Sequence, residues 1–363
     1  MLFRSHTLVP WGHFAGHGHS RAQELSLLIW SAGTDWSTNT GNWPGNDPAG
    51  VELAHGWDGG NGPHVAGESA LAPRRSTLRA QAQGPGLRFL DLERMVGPAV
   101  AGSLRVRRQI LQWQGSTWIV LDTYSDAASR ELRVIWTAAP ETAQRPLGPR
   151  QFGFEREGSQ VALRLAIDGS AGVTASPLRG SRDPFGGWVA FDRKAAPAPA
   201  VDARLPSPEG WMLATLALRP ATESERPQAP WQASMLRYVG PQEWSIRLGA
   251  EGAGVELSRQ ADSLLIRSSA PGGHESAGEI RRLALVAGEP VDVALAAIEK
   301  SRAELLAVYP RFRTLETVRW RYSVALAGLW FGLSVLIVVA TYVCARGRVL
   351  KEFVGARSRL GRS

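Results

Sequence analysis

The stretch LRVRRQILQWQGSTWIVLDTY, residues 104–124, decides the fold class of this 363-residue chain. Apolar and polar residues alternate in LRVRRQILQW (104–113) and again in WIVLDTY (118–124), which is the side-chain period of a β-strand. The stretch therefore predicts a pair of strands in a sheet. Alternation of this kind is typical of a sheet that buries one face and exposes the other to water.

Similar β-type segments recur between turn signals from about residue 84 to residue 287, with no helical pattern between them. Many short strands at fairly regular spacing predict an all-β fold, a large antiparallel β-sandwich of the supersandwich type. The predicted strands are 87–92, 104–113, 117–123, 131–137, 160–167, 188–192, 211–218, 244–248, 255–259, 264–268 and 280–286.

Three other segments carry weaker signals. The apolar run 24–30 reads as a buried strand or a short helix, and 41–63 is expected to be a long irregular loop. The proline-rich stretch 194–208 is expected to be extended and irregular, because prolines lack a backbone donor and disfavour helix in the preceding residue.

The C-terminal part of the chain indicates a membrane anchor. Residues 322–345 form an uncharged apolar run longer than the roughly 20 residues that cross a bilayer core. A helix with a 3.6-residue period is predicted at 290–308 before it. We expect residues 1–310 outside the cytoplasm of a bacterial-type cell, in the periplasm or the extracellular space, and the short basic tail 346–363 inside.

These features divide the chain into five predicted regions. They are a His-rich segment at 1–70, a β-sandwich at 71–288, a juxtamembrane helix and linker at 289–321, one transmembrane helix at 322–345 and a cytoplasmic tail at 346–363.

The net charge of +8 does not indicate a nucleic-acid partner. The tail 346–363 holds six basic residues against Glu352 and so contributes +5, which leaves only +3 for more than 300 residues. The single cysteine, Cys344, excludes an intrachain disulfide. The first twenty residues lack the apolar run of a signal peptide, so we expect a piece of a longer protein or a mis-assigned start.

Candidate chemistry lies in the first seventy residues, which hold six of the seven histidines. The segment Gly16-His17-Gly18-His19 is followed by Asp35 and His64. On an extended segment His17 and His19 point to opposite faces, so one can bind a metal while the other faces a cleft. Zinc accepts two histidines, a carboxylate and water. The spacing alone equally fits exposed loop histidines.

The order of GHGH (16–19), ELSLLIW (24–30), Asp35 and NGPHVAGE (61–68) resembles the C-terminal part of the heparinase II/III-like polysaccharide lyases. The resemblance covers roughly residues 10–290, continuing through the segments 84–93, 104–124 and 186–201. Arg21, Pro63 and Val65 depart from the residue types usual in that family. The helical toroid that precedes this region in the family has no counterpart here.

The resemblance implies β-elimination of a uronic-acid polysaccharide, which needs neutralisation of the sugar carboxylate, a base and an acid. It implies that His17 is the acid/base or carboxylate-neutralising group. His19, Asp35 and His64 would hold a structural zinc, and the partners would be an anionic polysaccharide, the membrane and an upstream helical toroid domain. Tyr124 is a candidate phenol donor, although a core tyrosine is the commoner case.

Several alternatives stay open. Trp36, Trp43 and Trp57 suit either sugar stacking or loop anchoring. Whether the chain is an enzyme is itself open. The first rival to a lyase is a non-catalytic, membrane-anchored carbohydrate-binding or scaffold module of a polysaccharide system. The second is a metallohydrolase that uses the GHGH segment directly, which would need a further carboxylate beside an open zinc position.

Overall fold

A computed structural model of the protein describes most of the chain up to residue 288. The described residues are 5–10, 13–14, 21–70, 74–96, 104–126, 128–192, 194–207, 209–221, 232–249, 254–268, 280–288, 296 and 300. All of them lie in the unit Met1–Ser301.

Nearly all regular structure in these residues is β-strand. The strands are β1 (Ser5–Leu8), β2 (His13–Phe14), β3 (Leu28–Ser31), β4 (Thr34–Ser37), β5 (His64–Val65), β6 (Arg74–Gly84), β7 (Leu87–Val96), β8 (Arg105–Trp113), β9 (Thr117–Ser125), β10 (Leu132–Thr137), β11 (Ala143–Gly148), β12 (Gln151–Glu155), β13 (Val161–Gly169), β14 (Thr174–Arg179), β15 (Ser181–Arg182), β16 (Phe185–Gly186), β17 (Trp188–Phe191), β18 (Lys194–Pro197), β19 (Pro199–Leu205), β20 (Glu209–Pro220), β21 (Ala233–Gly240), β22 (Glu243–Leu248), β23 (Val255–Gln260), β24 (Ser263–Ser268), β25 (Ile280–Ala284) and β26 (Val286–Ala287).

The centre of the fold is an antiparallel sheet in the order β11-β12-β13-β20-β9-β8-β7-β6-β2, in which β26 also pairs with β6. A four-stranded sheet has the order β14-β19-β10-β5, a three-stranded sheet β1-β3-β4, and a five-stranded sheet β21-β22-β23-β24-β25. The pairs β15-β16 and β17-β18 form two-stranded ribbons. The prediction of an all-β, antiparallel fold is confirmed.

The large sheet is buried on both faces. One face packs through residues such as Ile110 and Val120 against the three- and four-stranded sheets. The other face packs through residues such as Leu111 and Ile119 against the five-stranded sheet. The sequence predicted that one face of this sheet is exposed to water. That prediction is wrong for β9, in which only the last residue is exposed. Polar residues tolerate this burial because they are paired across the layers.

The loop predicted at 41–63 contains a helix, α1 (Pro48–His55), and a short 3-10 helix, Trp57–Gly59. Asp47 caps α1 by accepting a hydrogen bond from the Gly50 N–H at 3.1 Å, and Pro48 occupies the first turn. The prediction of an irregular loop was wrong here. The surrounding glycines favoured a loop more strongly than Asp47-Pro48 indicated the start of a helix.

The stretch 194–208 is also more regular than expected, because β19 is an inner strand between β14 and β10. Its proline, Pro199, is the first residue of the strand, where a missing N–H is tolerated. The residues after it, Ala200–Leu205, retain the donors that an inner strand needs.

The predicted membrane anchor lies outside the described residues, as does most of the helix predicted at 290–308. Of that helix, Ala296 and Lys300 are described, and both are helical. No helix among the described residues has the length and apolar character that crossing a bilayer needs.

Candidate functional site

His64 is buried at the start of β5, where antiparallel pairing sets it opposite Arg133 of β10. Its Nδ1 lies 3.0 Å from the carbonyl oxygen of Gly62, and its Nε2 lies 2.9 Å from Oδ1 of Asp58. Both neighbouring atoms are acceptors, so both contacts are satisfied together only when each ring nitrogen carries a proton or a cation.

Asp58 links His64 to a series of charged side chains that form ion pairs. Its Oδ1 also accepts a hydrogen bond from Nη1 of Arg133 at 2.6 Å. Burial, the largest influence, raises the pKa of Asp58, but the hydrogen bond and charge of His64 and then the charge and hydrogen bond of Arg133 outweigh it. The pKa of Asp58 is therefore lowered, and this carboxylate stays ionised beside His64.

Arg133 extends this series of ion pairs toward the surface. Its guanidinium donates two hydrogen bonds to Asp202, at 2.8 and 3.0 Å. Asp202 accepts two more from Arg204, which also lies 3.3 Å from Glu131. Arg133 is almost fully buried, whereas the side chain of Arg204 is 34% exposed.

Trp57 forms the other side of the site. Its ring is nearly parallel to the His64 ring, with centroids 6.1 Å apart and an interplanar angle of 12°. The guanidinium carbons of Arg94 and Arg74 lie 4.0 and 4.6 Å from the Trp57 ring centroid. Such contacts between cations and an aromatic ring are attractive and strengthen away from water.

The two arginines that cover Trp57 are fixed by their own carboxylates. Arg94 makes a two-point ion pair with Glu68 and donates to the Pro63 carbonyl at 2.8 Å. Arg74 pairs with Glu24 at 2.9 Å. Because both arginines are completely buried, these pairs hold the loop 60–70 and the end of β6 in a single arrangement.

A third buried arginine holds the polypeptide segment that immediately precedes His64. Arg108 forms a two-point ion pair with Asp122, both contacts being 2.7 Å, and also donates to the carbonyls of Leu25 and Asn61. Burial raises the pKa of Asp122. The Asn61 side chain bonds both backbone groups of Leu27. The position of β5 is thus set by hydrogen bonds from the large sheet.

The four predicted site residues have different outcomes. His17 and His19 lie outside the described residues. His64 lies at the centre of the site, and Asp35 lies at the surface on β4, opposite Trp30. Partial loss of hydration, followed by the charge of Glu141, raises the pKa of Asp35. The described part of the chain contains no group of three side chains placed to bind a metal.

The described chain on both sides of His17 and His19 is anchored near this site. Before them, β2 pairs with Arg74 and Arg75 of β6, and Arg74 covers Trp57. After them, the Ala22 N–H donates to the His55 carbonyl at 2.9 Å, two residues before Trp57.

The other aromatic candidates are buried and hydrogen-bonded within the fold. Trp36 and Trp43 are buried, and their indole N–H groups bond the Ser31 carbonyl and the Asp47 carboxylate. Tyr124 is buried and donates to the Leu205 carbonyl at 3.3 Å. Burial also raises the pKa of Tyr124. These contacts favour loop anchoring and a core role.

Sequence reasoning missed most of the site. Arg94 and Arg133 carried no motif that marks them, because their ion-pair partners lie 26 to 75 residues away. Asp58 lies only six residues from His64, but no motif linked the two. Glu68 fell within the NGPHVAGE segment that was singled out, but its pairing with Arg94 could be read only from the fold.

The comparisons with known proteins agree with this architecture. The family model described as "Heparinase II/III-like, C-terminal" matches residues 5–232. A search of curated protein sequences finds no match.

Solved structures of low sequence identity share the fold. A heparinase III, the BT4657 gene product, is 14% identical with a TM-score of 0.57 over 70% of this chain and 39% of its own. The heparan sulfate lyase HepC from Pedobacter heparinus is 11% identical with a TM-score of 0.53, over 66% of this chain and 37% of its own. The chain thus spans about two fifths of the length of these structures.

Proposed function

The chain belongs to the heparinase II/III-like family, whose C-terminal domain it matches, and from this premise we propose that it takes part in β-elimination of uronic-acid-containing polysaccharide. The observation that carries the proposal is the anchoring of the chain around the GHGH segment. Its described flanks contact Arg74 and His55, beside the rigid site formed by Trp57 and His64.

In the proposed reaction, the proton next to the uronate carboxylate is removed and the glycosidic oxygen leaves with a proton. A double bond forms between the ring carbon that lost the proton and the ring carbon that carried the leaving oxygen. His17 supplies the acid/base or carboxylate-neutralising group. The base and its partners would come from a helical domain upstream of this region, so the two parts act as one catalytic unit.

A zinc ion held by His19 and His64 belongs to the same proposal, because imidazole nitrogens suit zinc. Asp35, the third ligand predicted from the sequence, lies beside Ala139, whereas His64 pairs with Arg133 six residues earlier along the chain, so the fold holds the two side chains apart. The contact of His64 Nδ1 with the Gly62 carbonyl suits a ligand histidine. Metal binding at Nε2 would replace the contact of that nitrogen with Asp58 Oδ1. The ion would be structural, bracing the segment that carries His17.

The test compares the chain alone with the chain joined to an upstream helical domain of the family. We expect no rise in unsaturated-uronate absorbance from the chain alone and a clear rise from the joined protein. In the joined protein, His17→Ala should abolish turnover with folding retained, whereas His19→Ala should lower stability and zinc content together. The matched control is His6→Ala, an exposed histidine on β1 that should leave turnover unchanged.

Robust cleavage by the chain alone would contradict the assignment of the base to another domain. Turnover by the joined His17→Ala protein would contradict the role of His17. Unchanged zinc content in His19→Ala would contradict the metal site.

The second candidate function is a non-catalytic, membrane-anchored carbohydrate-binding module. It is favoured by the site as described, in which the charged side chains of Asp58, Arg94 and Arg133 are all held in ion pairs with other residues of the chain. This candidate predicts affinity for uronic-acid polymers but no turnover, even after an upstream helical domain is joined to the chain.

We further propose that residues 322–345 anchor the β domain outside the cytoplasm of the cell. Reporter fusions before residue 322 and after residue 345 test this topology. An alkaline phosphatase fusion should be active at the first position and inactive at the second. Cytoplasmic reporter activity before residue 322 would overturn the proposal.

A further inference from the structure

We propose a second saccharide-binding site, the distal cavity, at the end of the large sheet opposite Trp57. The inference rests on the proposed function, because it assigns the same class of acidic polysaccharide to another surface. The cavity has a volume of about 830 Å³, within the usual range of ligand sites. Its lining includes Thr7, Leu8, Arg88, Gln112, Trp118 and Val286.

Strand register creates the floor of the distal cavity. Gln83 pairs with Arg88, Arg88 with Gln112, and Gln112 with Trp118, across four adjacent strands. Residues opposite each other in an antiparallel sheet project from the same face. The register therefore places two amides and one guanidinium in one row on one face of the sheet.

The next row supplies an apolar base. Gln81 pairs with Leu90, and Leu90 pairs with Ile110. Because each of these residues is two positions from a member of the first row, both rows face the same side. The cavity thus combines a polar row with an apolar strip, as saccharide sites need for hydroxyl groups and for ring C–H surfaces.

Two edge elements form the walls. On one side, Thr7 of β1 accepts a hydrogen bond from the Trp118 indole at 3.2 Å, which ties β1 to the sheet. On the other side, β26 pairs with β6, setting Val286 opposite Gln81. Leu8 and Val286 at the rim are each 61% exposed, so the cavity is open to solvent.

The charge in the cavity selects an acidic ligand. None of the lining residues is acidic, and Arg88 contributes a positive charge. Within the described residues, the side chains of Arg88, Gln81 and Gln83 have no hydrogen-bond or ion-pair partner, and all three are exposed. A guanidinium binds a carboxylate or sulfate group through two parallel hydrogen bonds, and amides both donate to and accept from hydroxyls.

The distal cavity is separate from the Trp57 site. Arg88 and Arg94 lie on the same strand and six residues apart, which corresponds to about 20 Å at the rise of an extended strand. Arg94 is buried and neutralised by Glu68, whereas Arg88 is exposed and unpaired in the described structure. A polymer of several sugar units can contact the distal cavity and the Trp57 site at the same time, and binding at two sites raises its apparent affinity.

The experiment measures binding to the full chain by titration calorimetry. The probes are size-matched octasaccharides of heparan sulfate, of hyaluronan and of neutral maltose units. We expect the acidic probes to bind and the neutral probe to bind at least tenfold more weakly. Arg88→Gln should weaken acidic binding at least tenfold, and Gln83→Ala should weaken it about threefold.

The matched control is Arg237→Gln, which removes one positive charge from an arginine 68% exposed on β21. It should change the dissociation constant less than twofold. Equal effects of Arg88→Gln and Arg237→Gln would show a general charge effect and overturn the inference. Equal binding of the neutral probe would overturn the acidic specificity.

The outcomes also separate this inference from the proposed function. Acidic binding that is unaffected by Arg88→Gln overturns the distal cavity alone. Arg88-dependent binding without turnover in the joined protein overturns the lyase assignment alone. No binding of either acidic probe overturns the distal cavity, whereas turnover by the joined protein would still support the lyase.

Discussion

Two clusters of buried charged residues lie on opposite faces of the large sheet, and they differ in whether they reach the surface. The Asp91 cluster consists of Asp91, Arg107 and Arg259, and it is sealed between the large and five-stranded sheets, with Asp91 0% and Arg259 2% exposed. The Trp57 cluster consists of Trp57, Asp58, His64, Arg74, Arg94, Arg133, Asp202 and Arg204. It runs from the completely buried Arg94 to the partly exposed side chains of Asp58 and Arg204.

This difference separates a cluster sealed from water from one that reaches the surface. The Asp91 carboxylate binds both arginines directly, including two contacts to Arg107 at 2.5 and 2.6 Å, and its role is to join two sheets. Trp244 adds a hydrogen bond to Gln109 at the same interface. The Trp57 cluster instead holds an imidazole ring, His64, beside the partly exposed carboxylate of Asp58.

The largest effect is expected from Asp91→Ala. This change leaves Arg107 and Arg259 buried without their shared carboxylate, and breaking such a pair costs about 3–5 kcal/mol of unfolding free energy. Urea denaturation monitored by tryptophan fluorescence measures it. The control, Asp262→Ala, removes a carboxylate 86% exposed and should cost less than about 0.5 kcal/mol. Similar losses in both variants would show that the Asp91 cluster is not sealed from water.

A smaller effect is expected from Asp58→Asn. Arg133 keeps its ion pair with Asp202, so the loss is that of one charged hydrogen-bond acceptor, about 1–3 kcal/mol. In the joined protein, turnover should also fall, because the ring of His64 loses its charged partner. A variant as stable and as active as the wild type would contradict the place of Asp58 in the site.

The same variant tests a pH dependence. The folded-state pKa of Asp58 is lowered, so its ionised form stabilises the fold above the unfolded-state pKa of about 4. That contribution is lost as pH falls through the folded-state pKa. The stability difference between the wild type and Asp58→Asn should therefore be present above about pH 4 and shrink below it. A difference that grows on acidification would contradict the direction of the pKa shift.

The smallest effect is expected from Arg204→Gln, at the outer end of the Trp57 cluster. Its guanidinium is partly exposed, and Asp202 keeps its two hydrogen bonds from Arg133, so the cost should stay below about 1 kcal/mol. Urea denaturation at low and high salt checks this, because an exposed ion pair weakens with salt. A loss as large as that of Asp91→Ala would show that the two clusters do not differ.

Local patterns in the sequence determined several of the central strands. The alternation in residues 104–124 predicted β8 and β9, and the family resemblance singled out His64, because both signals reside in neighbouring residues. The missed helix α1 also had a local signal, Asp47-Pro48. Period and turn chemistry act over a few residues and are therefore visible without the fold.

Only the tertiary structure decided which face of each strand is covered and which charges meet. The large sheet is buried on both sides because the five-stranded sheet, far along the chain, returns to cover it. Arg133 meets Asp58 across 75 residues, and Gln83, Arg88 and Gln112 form one row through strand register. Pairing across such separations depends on register and layer packing, which a local pattern does not encode.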